Sequence, residues 1–326
     1  MMREAAISVQ PPAPRPCLSV VVPAFNEEEG IARFHQELSA VMQALGESWE
    51  VIYVDDGSRD RTRSVIETLR TSDSHIGLVS LSRNFGKEIA TTAGLDHTTG
   101  EAVIVIDADL QDPPELIPAL VQAWRAGFDM VYAQRRVRAG ETWLKTFTAD
   151  MFYRLMRNIG EVSMPRNAGD FRLMSRRAVD ALLRLREQHR FMKGLFAWVG
   201  FPSTAVLYDR QPRAAGSTKW NYWRLWNLAI EGITSFTVMP LKIATYLGLV
   251  VAIFAVIYGS IIIIRTILFG NPVAGYPSLM AVMLFLGGTQ LVTLGVIGEY
   301  LGRIFNETKG RPLYLVERFL PSAPRR

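Results

Sequence analysis

Short aliphatic runs alternate with helical periodicity along the first two-thirds of the chain. Leu18 to Val22 is apolar without interruption, and Ile31, Phe34, Leu38, Val41, Met42 and Leu45 then recur at helical spacing. Trp49 to Val54 is the next run, followed by Val65, Ile66 and Leu69 on one helical face. Ile76 to Leu81 precedes an Ala/Thr-rich helix ending near Thr98, and Ala102 to Asp107 follows. The apolar runs are too short for helices and read as strands buried on both faces. A helix through Ile117, Leu120, Val121 and Trp124 leads to a fifth strand, Met130 to Ala133. Ser175 suits the cap of a helix holding Val179, Leu182 and Leu183. Phe191 to Trp198 reads as a further helical piece and Ser203 to Leu207 as a strand. Strands and helices in this order predict an α/β fold, right-handed βαβ units on a mostly parallel sheet.

The last third follows another pattern. Trp220 to Phe236 is rich in Trp and Tyr, which favours a position along a bilayer surface. Leu241 to Ile264 is apolar except for Lys242, and Leu279 to Leu301 except for Glu299. Each is long enough to cross a hydrocarbon core about 30 Å thick; a pair of buried soluble helices is the competing reading. The short connector makes the two runs an antiparallel hairpin. The expected organisation is a loose leader over 1–17, a catalytic domain over 18–219 and interfacial helices over 220–240. A two-helix transmembrane hairpin over 241–302 and a basic tail over 303–326 complete it. Arginine and lysine in that tail argue for a cytoplasmic carboxyl terminus, and a two-span hairpin returns the catalytic domain to the same side. Gly298 and Gly302, a small-xxx-small pair, suggest close helix packing and a homo-oligomer.

Composition narrows the chemistry only a little. With 326 residues, 49% hydrophobic and 21% charged, the chain is neither disordered nor fibrous, and its net charge of +5 suits anionic partners without selecting one. The single cysteine, Cys17, excludes an intrachain disulfide framework and a cysteine-rich metal site.

The chemistry lies at the strand ends. Strand one delivers Pro23, Ala24 and Glu27; strand two Asp55 and Asp56; strand three Arg83 and Lys87; strand four Asp107, Ala108, Asp109, Gln111 and Asp112. Open α/β sheets bind ligands at the carboxyl ends of their strands. Carboxylates crowded there repel one another unless a cation joins them, so Asp107 and Asp109 are candidates for a divalent metal; a solvated Asp-rich turn is the plainer alternative. Asp112 reads as a cap for the helix starting at Pro113-Pro114. No G-x-G-x-x-G follows strand one, and Gly86-Lys87-Glu88 lacks the rest of a P-loop, which sets aside dinucleotide and P-loop readings. Arg135, Arg136 and Arg138 cluster after strand five. Asp170 follows two small residues that permit close approach to a ligand. Arg213, Ser217 and Lys219 stand on a flexible loop able to close over phosphates, with a basic linker as the alternative.

These residues resemble the inverting family-2 glycosyltransferases of the GT-A fold, in particular the membrane-bound polyprenyl-phosphate sugar transferases: bactoprenol glucosyltransferases and dolichyl-phosphate mannose synthases. The matching stretches are Val22 to Glu28, Val54 to Ser58, Arg83 to Lys87, Asp107 to Pro114, Asn167 to Arg172 and Arg213 to Trp220. The resemblance implies that Pro23, Ala24, Glu27, Asp55 and Asp56 surround the nucleotide, and that Arg83 and Lys87 face the nucleotide sugar. It implies Mg²⁺ or Mn²⁺ on Asp107 and Asp109 with Ala108 and Gln111 beside them, Asp170 as catalytic base, and Arg135, Arg213, Ser217 and Lys219 around donor phosphates and acceptor. The Q-x-x-R-W of processive synthases is missing, which points to a single transfer. The expected reaction moves one hexose from a UDP- or GDP-sugar (glucose from UDP-glucose as the first choice) to undecaprenyl phosphate at the inner membrane. No nucleic acid is expected as a partner. Transfer to another lipid such as diacylglycerol, or a catalytically silent membrane scaffold, are the alternatives.

Overall fold

A computed structural model describes residues 16–136, 168–188, 190–208, 239–269 and 275–323. The chain runs β1 (Leu18–Ala24), α1 (Ile31–Leu45), β2 (Trp49–Asp55), α2 (Thr62–Ser72), β3 (Ile76–Leu81), α3 (Lys87–Asp96) and β4 (Ala102–Val105). After a 3₁₀ turn at Pro114–Leu116 come α4 (Ile117–Arg125), β5 (Met130–Arg135), β6 (Ala168–Ser175), α5 (Arg176–Leu183), α6 (Met192–Trp198) and β7 (Ser203–Tyr208). Two long helices, α7 (Met239–Phe269) and α8 (Tyr276–Thr308), precede a final strand, β8 (Val316–Leu320).

The eight strands form one sheet in the order β7-β5-β6-β4-β1-β2-β3-β8. Strands β3, β2, β1 and β4 are parallel to one another. Their side chains are buried on both faces, which is why they read as unbroken apolar runs. Val20, Val22, Val51, Tyr53 and Ile104 meet Phe34, Leu38 and Met42 of α1 on one face. Val21, Val103 and Val105 meet Leu95 of α3 on the other. A methyl group added at Gly94 would lie 2.3 Å from Val21 Cγ1, so α3 rests directly on β1. The chain winds outward from β1 through β2 to β3 and then returns to place β4 on β1's other side. Such a reversal of winding opens a crevice at the carboxyl ends of the two central strands.

Two strands escape the periodicity. Strand β6, Ala-Gly-Asp-Phe-Arg-Leu-Met-Ser, carries no clean alternation, yet it runs antiparallel between β4 and β5. Phe171 and Leu173 enter one core cluster and Met174 the other, which is enough to seat it. The segment read as a basic tail also contributes structure. α8 continues to Thr308, and Val316–Leu320 adds antiparallel to β3 at the sheet's edge. Its burial is slight and it carries Glu317 and Arg318, as edge strands do. Four of the seven strand pairings are parallel; the antiparallel ones come from β6 and β8.

Within α7, Leu241–Tyr258 has a mean hydropathy of 2.1 and is, among the described residues, the one window long and apolar enough to cross a membrane. The expected second run falls within α8. Residues 1–15 of the leader, Arg138 and the whole of 209–238 lie outside the described residues.

Candidate functional site

The turns after β1 and β2 are stitched to each other. Asn26, in the left-handed region at φ 56°, donates its backbone N–H to Ser58 and accepts one from Arg59. Glu27 N–H donates to Thr62 Oγ1 at 2.8 Å, and Asp56 N–H to the Ala24 carbonyl at 2.9 Å. The third turn is bound to the second through Asp56, whose carboxylate accepts from Phe85 N–H at 2.7 Å and Gly86 N–H at 2.9 Å. Burial raises the Asp56 carboxyl above its ordinary value, and those two N–H groups oppose the rise. Asp55 caps its own turn by accepting from Ser58 N–H at 3.0 Å. Arg83 lies over the Phe85 ring, 4.0 Å from its centre.

The fourth turn and the antiparallel strand meet on a lysine. Lys87, the first residue of α3, donates to Asp107 Oδ2 at 2.7 Å and to Asp170 Oδ2 at 2.6 Å. Burial alone would raise the Asp170 carboxyl, but Lys87, Lys193 and Arg172 outweigh it and hold it at about 2. Asp107 is shifted the other way: burial raises it, Lys87 opposes the rise, and Asp170 and Asp109 add to it. Burial and then the charges of Asp109, Asp107 and Asp60 raise Glu27 as well. The crevice therefore concentrates negative charge around Glu27, Asp107 and Asp109.

Asp107 Oδ1 is buried and, among the described residues, has no hydrogen-bond partner. An orphaned carboxylate oxygen facing like charges is the environment a divalent cation relieves. Among the described residues no group of three His, Cys, Asp or Glu could hold a metal by itself. Two carboxylates with the remaining places left to phosphate oxygens and water fit magnesium-type binding instead. Asp109 is exposed, and its Oδ1 accepts from Gln111 N–H at 3.0 Å, which curls the turn.

The expected residues thus divide into three groups. Pro23, Ala24, Glu27, Asp55, Asp56, Arg83, Lys87, Asp107, Ala108, Asp109 and Gln111 stand at the carboxyl ends of β1 to β4, and Asp170 is brought beside them by β6. Lys87, expected to face the sugar, bridges two carboxylates. Arg135 ends β5, opposite Tyr208 of β7. Arg213, Ser217 and Lys219 lie outside the described residues. Asp112 is buried and accepts from the Tyr208 hydroxyl, tying the fourth turn to β7.

Two cations escaped the sequence reading. Arg172 is buried under the Phe196 ring and donates to the Gly169 carbonyl at 2.8 Å and the Asp170 carbonyl at 3.2 Å, so it braces the backbone that carries Asp170. Burial lowers it to about 10, still fully protonated at neutral pH. Lys193 adds positive charge toward Asp170 from α6. It is the one charged residue in Phe191 to Trp198, and that isolation was the available signal.

Residues 19–183 match the family model for glycosyl transferase family 2, and residues 239–304 match the GtrB C-terminal hairpin. An uncharacterized glycosyltransferase of Synechocystis sp. is 55% identical over 92% of this chain and 94% of its own length. The bactoprenol glucosyl transferase of Shigella phage SfX is 51% identical over 92% and 98%, and a prophage bactoprenol glucosyl transferase homolog of Escherichia coli (strain K12) 50% over 92% and 98%. The strand-end carboxylates and the Lys87 bridge thus sit in a chain that belongs to glycosyl transferase family 2.

Proposed function

We propose that this glycosyltransferase moves a single glucose from UDP-glucose to undecaprenyl phosphate with inversion, at the cytoplasmic face of the inner membrane. The observation that carries the reading is the meeting of Asp107 and Asp170 on Lys87 at the carboxyl end of the sheet. The names of the relatives at 50–51% identity support the lipid acceptor. So does α7, an apolar helix whose described side chains are largely exposed, including Phe254 at 70% and Val256 at 68%. Apolar surface on that scale is covered by something, and a bilayer fits its length. The finer placement is a two-span hairpin of α7 and α8, with homo-oligomers packing through the small residues Gly298 and Gly302 of α8.

In the reaction the bond between the sugar's anomeric carbon and the donor's β-phosphate oxygen breaks, and its electron pair leaves with UDP. An acceptor phosphate oxygen forms the new bond from the opposite face. Asp107 and Asp109 would hold Mg²⁺ or Mn²⁺, which supplies positive charge to the departing diphosphate. Pro23, Ala24, Glu27, Asp55 and Asp56 would cradle the nucleotide, and Arg83 and Lys87 would stand toward its sugar phosphate. Lys87 has a second task, because its ammonium keeps Asp170 ionised. An acceptor phosphate with a second pKa of about 6 is mostly dianionic near neutrality and barely needs a base. Asp170, braced by Arg172, holds the Lys87 ammonium in the crevice, so its share in the reaction is at least as much positioning as proton removal.

The test incubates membranes containing the protein with labelled UDP-glucose or GDP-mannose, undecaprenyl phosphate and Mg²⁺ or Mn²⁺. Label in a mild-acid-labile lipid, from UDP-glucose and abolished by chelation, is the expected result. An alkali-labile glycerolipid product would move the acceptor to diacylglycerol. No transfer from any donor would leave only the scaffold reading.

A further inference from the structure

The chain leaves α8 and goes back to the sheet through a dense set of contacts. At the end of α8, Glu307 accepts from Gln188 N–H at 2.7 Å, and Gln188 also donates from its side chain to the Arg311 carbonyl. Three residues on, the Tyr314 hydroxyl donates to Asp96 Oδ2 at 2.7 Å. Arg186 grips the same carboxylate with both of its terminal nitrogens, at 2.7 and 2.6 Å. Ser82 N–H then donates to the Leu315 carbonyl at 3.0 Å. β8 pairs with β3 from there, clamped by Arg63–Glu317 and Arg318–Glu67. Beyond it, Ser322 donates to the buried Glu50 at 2.6 Å.

The elements receiving these contacts are those that carry the site. Ser82 immediately precedes Arg83. Asp96 is the last residue of α3, whose first residue is Lys87. The loop holding Arg186 and Gln188 leads into α6 with Lys193. The start of the Arg83–Lys87 arm, the far end of the helix that follows it and the approach to α6 are thus fastened to the chain that leaves the long helices.

We propose that residues 307–320 form a rigid mount that fixes the active site against the helical hairpin, with Tyr314 and Arg186 on Asp96 as its positioning residues. This rests on the reading that the acceptor is a lipid phosphate held in the membrane. A phosphate whose depth is set by the bilayer reaches Asp170 only if the distance from α8 to α3 is held. A short, water-soluble polyprenyl phosphate diffuses into the crevice and is indifferent to that distance.

The experiment compares two acceptors in full-length protein: undecaprenyl phosphate in vesicles, and a two-isoprene phosphate in solution. Two glycines inserted between Gly310 and Arg311 lengthen the mount while leaving β8 in register, and Tyr314→Phe with Arg186→Gln loosens the node at Asp96. Both variants should lose at least tenfold in kcat/KM toward the vesicle acceptor. Both should stay within twofold of the parent toward the soluble acceptor and in affinity for UDP. Equal losses with both acceptors, or no loss with either, would overturn the mount. Failure of the unmodified protein to glycosylate either phosphate would overturn the lipid-phosphate reading instead, so the two outcomes are separable.

Discussion

A lysine ammonium between two carboxylates compensates them unequally, and the difference sets what each can do. Asp170 is held at about 2, some four units below an acceptor phosphate with a second pKa of about 6. A carboxyl held that low is better suited to staying ionised beside Lys87 than to taking the acceptor's proton. The acid limb of log kcat/KM between pH 5 and 9 should therefore follow the acceptor, with a midpoint near 6. Asp170→Asn should lower the plateau tenfold or more and keep that midpoint. A limb that disappears in the variant would make Asp170 the base. Glu27 shows the opposite sign. Its folded-state carboxyl is raised above 4.5 by burial and by Asp109 and Asp107. The proton-linked stability this confers is present below pH 4.5 and is lost as pH rises through the folded value. Glu27→Gln, free of metal, should melt with the parent near pH 4 and above it at pH 7.5. The same variant should bind UDP more weakly in the presence of Mg²⁺.

At the scale of elements, the site is a set of turns held together by one another. Gly57 shows how tightly. Its φ is +67°, and an added Cβ would lie 2.5 Å from the Arg83 carbonyl carbon. Gly57→Ala should lose about 1–3 kcal/mol of stability from the strained backbone alone. Because the clash pushes on the Arg83–Lys87 turn, UDP affinity should fall with it. A melt combined with a UDP titration checks both, and an unchanged affinity would mean the two turns move independently. These turns were legible beforehand, since each ends an apolar run in acidic or basic residues. Strand β6 was not. Gly169, Asp170 and Arg172 interrupt its alternation, and its place depends on neighbours far along the chain rather than on its own pattern.

Seen as a whole, the molecule closes on itself. The segment after the long helices looks like a solvated basic tail, because Arg303, Lys309, Arg311 and Arg318 dominate its composition. Yet Val316 to Leu320 covers an otherwise open edge of β3. Uncovered edges invite pairing with other chains. Ending the chain after Pro312 should lower the melting temperature by about 3–4 °C, equivalent to about 2–3 kcal/mol. It should also produce aggregates in gel filtration. A truncated protein that melts and elutes like the parent would mean that β8 contributes nothing to the sheet.

What the residues determine by themselves is local: apolar runs that must be buried on both faces, and polar turns where those runs stop. That was enough to put Glu27, Asp56, Arg83, Lys87, Asp107 and Asp109 at one end of a sheet. Which of them touch is decided by long-range pairing. Asp170 lies 83 positions from Lys87 and reaches it only because β6 enters the sheet antiparallel to β4. Tyr314 lies 218 positions from Asp96 and meets it only because β8 comes back to β3. A repeat of two or 3.6 residues carries no information over such separations; the contacts come from burying the sheet's faces and covering its edge.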